Sequence, residues 1–92
     1  MTQVIKGDGS REDFDADKLR MSIEASANEA DISEERAGEV VDLVANMAIE
    51  MAESEDEIES SALREKIHNE LDAVEPAVSE AWRKFDEIKA AR

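Results

Sequence analysis

The sequence predicts an α+β fold: a small N-terminal β-hairpin cap of two or three strands on a bundle of about four helices. Three observations lead there. Two short extended runs, one at Val4-Ile5-Lys6 and one ending at Phe14, flank the turn sequence Gly7-Asp8-Gly9-Ser10. Apolar residues then recur at helical spacings through the rest of the chain. Capping residues, an acidic break and the single proline, Pro76, divide that periodic stretch into separate helices.

The hairpin comes first. Asp-Gly between two extended segments is a strong hairpin signal, because a tight primed turn needs positive φ and glycine supplies it at little cost. Phe14-Asp15 then offers an apolar residue and a cap for a helix over Ala16 to Asn28, whose Leu19, Ile23 and Ala27 fall on one face. Asn28-Glu29-Ala30-Asp31 breaks that helix. Asp31-x-x-Glu34 has the form of a capping box and predicts a longer helix over Ser33 to Ala52. Its inward face is Val40, Val44, Met47, Ala48 and Met51; Val41, Leu43 and Ile49 widen that face, which puts this helix at the centre of the bundle.

The stretch Glu53-Ser54-Glu55-Asp56-Glu57 is predicted to be an exposed acidic loop at 53–57, since repulsion among its carboxylates disfavours packing. Beyond it, Ile58 adds a short extended segment beside the hairpin. Ser60 or Ser61 caps a helix carrying Leu63, Ile67 and Leu71. Glu75-Pro76 starts the last helix, with the proline pre-set for the first turn. There Val78, Ala81, Trp82, Phe85 and Ile88 repeat at three and four, so Trp82 and Phe85 read as core rather than as a platform for stacking a base.

Composition bounds the function. Ninety-two residues predict one domain over 1–92, with the cap at 1–14 and the bundle at 15–92, and leave little room for a catalytic cleft between lobes. Without cysteine there is no disulfide framework and no thiol nucleophile, a composition that fits a reducing cytoplasm. No apolar run approaches the roughly 20 residues that span a bilayer, and the N-terminus has no secretory core. Against 11 basic residues stand 25 acidic ones, a formal charge of −14 that counts against nucleic-acid and membrane partners. Screening confines exposed charge interactions to about 8 Å at physiological salt, so a local cluster of lysines can still hold a phosphate chain.

Catalytic chemistry finds little support. His68 is the only histidine, which rules out a two-histidine metal site. The serines lack a nucleophile elbow, and Gly7-Asp8-Gly9-Ser10 lacks the spacing and Gly-Lys ending of a hydrolytic phosphate loop. The acidic stretch lacks the alternating ligands and central glycine of a calcium loop. The chain is therefore read as a non-enzyme without a metal site.

The residues Val4, Lys6, Asp8, Gly9, Glu12, Phe14, Asp15, Lys18 and Leu19, followed by Ser22-Ile23, Ala25 and Ala27, form a pattern that resembles the ATP-cone. This is the small nucleotide-binding module at the front of ribonucleotide reductases and in the bacterial repressor of their genes. The family pattern reads as an apolar pair, then Lys-Arg-Asp-Gly, and here Gly7 stands where the arginine is expected. Looser likeness continues through Ile58-x-Ser60-x-x-Leu63 and Val78-x-x-Ala81-Trp82-x-x-Phe85, nearly the whole chain, which implies a free-standing cone.

The resemblance implies an adenine nucleotide, ATP or dATP with Mg²⁺ as a candidate companion, bound between the hairpin and the helices. Val4 would touch base or sugar, Lys6 and Lys18 the phosphates above the Gly9 corner, and Glu12 and Asp15 the ribose and base. Ser60 would offer a hydroxyl, Arg64 would reach an oxygen, and Lys89 would add late phosphate charge. Arg11, just past the turn, is a candidate replacement for the missing arginine. The function implied is nucleotide-dependent association with a protein partner or with a second copy. The alternative is a degenerate cone that binds no nucleotide and serves as an acidic protein–protein interaction module.

Overall fold

The computed structural model describes residues 2–90, with side chains to residue 85. Strands β1 (Gln3–Ile5) and β2 (Arg11–Asp13) pair antiparallel, helices α1 (Ala16–Glu29) and α2 (Glu34–Glu53) follow, and β3 (Glu57–Glu59) returns to the sheet before α3 (Ser60–Val74) and α4 (Pro76–Ala90). The sheet order is β2-β1-β3, with β3 parallel to β1. This is the α+β architecture expected, a small β cap on a helical bundle, and the cap has three strands.

Local chemistry sets most boundaries. The hairpin turn differs from the primed type expected. Pairing of Ile5 with Arg11 leaves a longer loop, in which the Gly9 amide donates to the Lys6 carbonyl at 2.9 Å and the Lys6 amide donates to the Ser10 carbonyl at 2.8 Å. Gly9 alone, among the described residues, has positive φ, at 88°. The type I′ turn that Asp-Gly favours needs two such residues; a longer loop closed by one left-handed glycine needs one. Asp8 fastens the loop by accepting from the Ser10 amide and hydroxyl. Those two bonds, the hydroxyl's first, hold the Asp8 carboxyl below the usual carboxylate range.

Asp15 caps α1 as expected, accepting from the Lys18 amide at 3.1 Å, and Pro76 opens α4. Two other caps move. Ser33, not Asp31, caps α2 by accepting from the Arg36 amide. Ser60 is the first helical residue of α3 rather than its cap: the strand runs directly into the helix, and Glu59 takes the cap position without a side-chain hydrogen bond. The acidic stretch is also less of a loop than its charge suggested, since Glu53 ends α2 and Glu57 opens β3.

Each helix packs on two others: α1 and α3 both touch α2 and α4. The helices thus form a closed ring, and α2 is no more central than the rest. Ile23, Val40, Val44, Ile67, Leu71 and Val78 are fully buried inside it. Leu43 departs from its expected inward position and is 57% exposed. The sheet is tied to this ring through Thr2, whose buried hydroxyl shares its proton between the carbonyls of Ala52 and Glu55, and through the Gln3 amide on the Asp56 carbonyl. At the opposite end Arg36 bonds the Val74 carbonyl and the Glu75 carboxylate. Glu75 first, then Glu39, raises the guanidinium's pKa further. No helix among the described residues is long and apolar enough to cross a membrane.

Candidate functional site

Sheet register decides which hairpin side chains can meet a ligand. Val4 lies opposite Glu12 on one side and beside Ile58 on the other. Successive strand residues point to opposite faces. Val4, Lys6, Glu12 and Ile58 therefore share one face, and burial of Val4 and Ile58 in the helical core identifies it as the inner one. Arg11 shares the outer face with Ile5 and Glu57, and it is bonded to the Glu57 carboxylate. Arg11 is consequently no replacement for an arginine at position 7.

Beneath the inner face a cleft of about 780 Å³ opens between the hairpin, α1, the start of α3 and α4. Its size lies within the roughly 300–1,000 Å³ of small-molecule sites. Val4, Lys6, Gly7 and Glu12 line it from the hairpin, and Asp15, Lys18, Leu19 and Ser22 from α1 and its cap. Ser60, Leu63 and Arg64 enter from the first turn and a half of α3, Trp82 and Phe85 from α4. Helical spacing explains the α1 contribution: Lys18, Ser22 and Ala25 follow at four and three and stack on one face.

The basic groups are not equivalent. The Lys6 ammonium lies 3.2 Å from a Glu12 carboxylate oxygen, both side chains half-exposed. Among the described residues no ion pair engages Lys18. Asp15 is partly committed to capping, and the Ser22 hydroxyl donates to the Lys18 carbonyl at 3.0 Å. At the turn, a Cβ added to Gly7 would meet nothing within 4 Å. Such a cleft can hold an anionic tail on its ammonium and guanidinium groups while an apolar head rests against Val4, Leu19, Leu63 and Trp82. Among the described residues no group of three or more His, Cys, Asp or Glu is placed to hold a metal ion.

Of the nine residues the sequence nominated, the structure brings seven to this one cleft: Val4, Lys6, Glu12, Asp15, Lys18, Ser60 and Arg64. Gly9 shapes the turn but does not line the cleft, where its neighbour Gly7 does. Lys89 lies outside the residues whose side chains are described, as does Ile88 of the expected core stripe. Leu19, Ser22, Leu63, Trp82 and Phe85 were not nominated. Trp82 is 9% exposed and packs in the core as expected, yet it also borders the cleft. Phe85, expected in the core, is 36% exposed at the cleft.

The profile of the ATP cone domain family matches residues 2–89 of this chain. No curated protein matches it.

Proposed function

The chain belongs to the ATP cone domain family, whose members are nucleotide-binding regulatory modules, and we propose that it binds ATP or dATP in the cleft beneath its hairpin and acts by nucleotide-dependent association with a protein partner or a second copy. One observation carries the reading: Lys6, Lys18 and Arg64, from three separate elements, border the same cleft as an apolar wall of Val4, Leu19 and Trp82. A triphosphate with an aromatic base presents the complementary pair of ends.

In this reading Lys6, Lys18 and Arg64 receive the phosphate oxygens, and Glu12 and Asp15 accept from ribose and base. Ser60 contributes a hydroxyl, Val4 touches base or sugar, Gly9 lets the corner turn, and Lys89 adds charge from the end of α4. Mg²⁺ accompanies the triphosphate. Binding regulates through differential affinity: the nucleotide favours one arrangement or association state, and shifts its population by no more than that preference allows. The cleft serves binding rather than turnover, in the cytoplasm where these nucleotides are abundant.

Titration of the ¹⁵N-labelled chain with Mg-ATP and with Mg-dATP tests this. Amide shifts concentrated at residues 4–18 and 60–64 are expected, together with binding weakened roughly tenfold or more by Lys18→Gln, the loss of about one charged hydrogen bond of 1.5–3 kcal/mol. A spectrum unmoved at millimolar nucleotide refutes the proposal and leaves the acidic interaction module.

A further inference from the structure

Next to the cleft, between α3 and α4, lies a second and smaller recess of about 300 Å³. Ser61, Arg64, Glu65 and His68 line it from α3, and Trp82 and Arg83 from α4. The α3 residues fall at intervals of three and four, which places them on one helical face. We propose that this recess is a binding site for a tetrahedral oxyanion of the sulfate or phosphate class, adjoining the nucleotide cleft and sharing Arg64 and Trp82 with it.

The contact between Arg83 and His68 carries the inference. A guanidinium nitrogen of Arg83 lies 2.7 Å from Nε2 of His68. Guanidinium groups only donate, so the imidazole accepts at Nε2 and keeps its proton on Nδ1. This is an unusual choice of partner in so acidic a chain. Among the described residues Lys6, Arg11, Arg20 and Arg36 each take a carboxylate, whereas the contact of Arg83 is with another nitrogen base; Arg64, which has a partner of its own, borders the same recess.

Among the described residues the charged groups around His68 are Arg64, Glu65 and Asp72 on α3 and Arg83 on α4. The Asp72 carboxylate stands 3.5 Å from Nε2 and also accepts from the Ser79 hydroxyl, so it is shared rather than dedicated to the ring. An oxyanion in the recess would accept from the N–H groups of Arg83 and Arg64 and from the Ser61 hydroxyl. It would accept from His68 as well once the ring is protonated. Protonation of His68 ends its acceptance from Arg83 and sets two cations side by side, an arrangement that an anion between them relieves. Anion binding and protonation therefore favour each other, and linkage makes the effect reciprocal. Affinity is therefore expected to rise as pH falls from 8 to 6.

Sulfate is the probe, because its charge stays constant over that range. It is titrated into the full chain at pH 6 and pH 8, with chloride holding the ionic strength fixed, and read at the imidazole signals, which are unambiguous because His68 is the only histidine. Saturable shifts at His68, severalfold tighter binding at the lower pH, and loss of saturation in Arg83→Gln are expected. Lys18→Gln, in the main cleft, should leave the titration unchanged. Inorganic phosphate and glycerol phosphate then distinguish a free ion from the end of a larger ligand.

A linear, unsaturated drift that is the same at both pH values overturns the proposal. So does an equal loss in Lys18→Gln and Arg83→Gln, which would place the ion in the main cleft. Sulfate saturation at His68 without any response to ATP would sustain this site and refute the nucleotide reading.

Discussion

The glycine at position 7 gives the most direct test of how a triphosphate would be held, because it can be changed toward the family pattern without disturbing the fold. Gly7→Arg meets no obstacle: an added Cβ finds nothing within 4 Å, and left-handed φ among the described residues occurs at Gly9 and not at Gly7. The new side chain would rise from a residue that already borders the cleft, next to Lys6. A guanidinium donating to a phosphate oxygen contributes about 1.5–3 kcal/mol. Ordering a long side chain costs up to about 2 kcal/mol. The net gain is on the order of 1 kcal/mol, roughly a fivefold to tenfold fall in Kd.

Isothermal titration of wild type and Gly7→Arg with ATP at matched ionic strength measures it. Thermal melting of the free proteins belongs beside it. Replacing a glycine of ordinary φ stabilises a chain by about 0.4–1 kcal/mol through its unfolded state, so the free variant should melt no lower than wild type. Tighter binding with unchanged or raised melting supports phosphates passing the hairpin corner. Unchanged affinity in a well-folded variant refutes that path, whatever the nucleotide does elsewhere.

Three further outcomes follow from the fold. Ile67→Ala removes a fully buried side chain from the bundle centre and should cost about 2–5 kcal/mol in denaturant unfolding; a smaller loss would mean the helices close around the gap. Arg36→Ala should lower the melting temperature by releasing the Val74 carbonyl and Glu75, and Arg36→Lys should restore only part of it because an ammonium lacks the fork that spans both. The Asp8 carboxyl, held low by Ser10, should titrate below the usual carboxylate range when followed by NMR. A group whose folded pKa is lowered stabilises the turn above its unfolded pKa and loses that effect as pH falls through the folded one, so the hairpin amides should loosen only in acid. Ser10→Ala should move the Asp8 titration back up.

Much of the fold was legible because its signals are local. Asp15 and Pro76 act within a turn of where they stand, and the sequence placed them correctly. What it misplaced depends on partners distant in the chain. The turn type follows from which residue of β2 faces Ile5, and the loss of Ser60 as a cap follows from β3 running straight into α3. Helical spacing defines the direction of an apolar stripe but not its width; α2 is flanked by α1 and α3, and Leu43 faces neither closely enough to be covered. The same limit explains Phe85, one step past Trp82 on α4, where the packed face gives way to the cleft. Arg11 failed as a stand-in for the missing arginine through sheet alternation, which depends on register.

The site's charge bears on how an acidic chain can hold a polyanion. Three basic side chains, Lys6, Lys18 and Arg64, border the cleft, and so do three acidic ones, Glu12, Asp13 and Asp15. Formal charge there is balanced, so attraction must come from rearranged pairs over distances shorter than the screening length of about 8 Å. Lys6 is the group best placed for this, since its ammonium has three donors and can add a phosphate oxygen while keeping Glu12. That exchange also has a mechanical consequence. The cap is joined to the helices through the buried Val4 and Ile58 and the few bonds of Thr2 and Gln3, whereas Lys18 and Arg64 stand on the bundle itself. A ligand held by Lys6 on one side and by Lys18 and Arg64 on the other would fix the cap against the bundle, and a surface formed by both would change its binding to a partner by the free energy that bridging supplies.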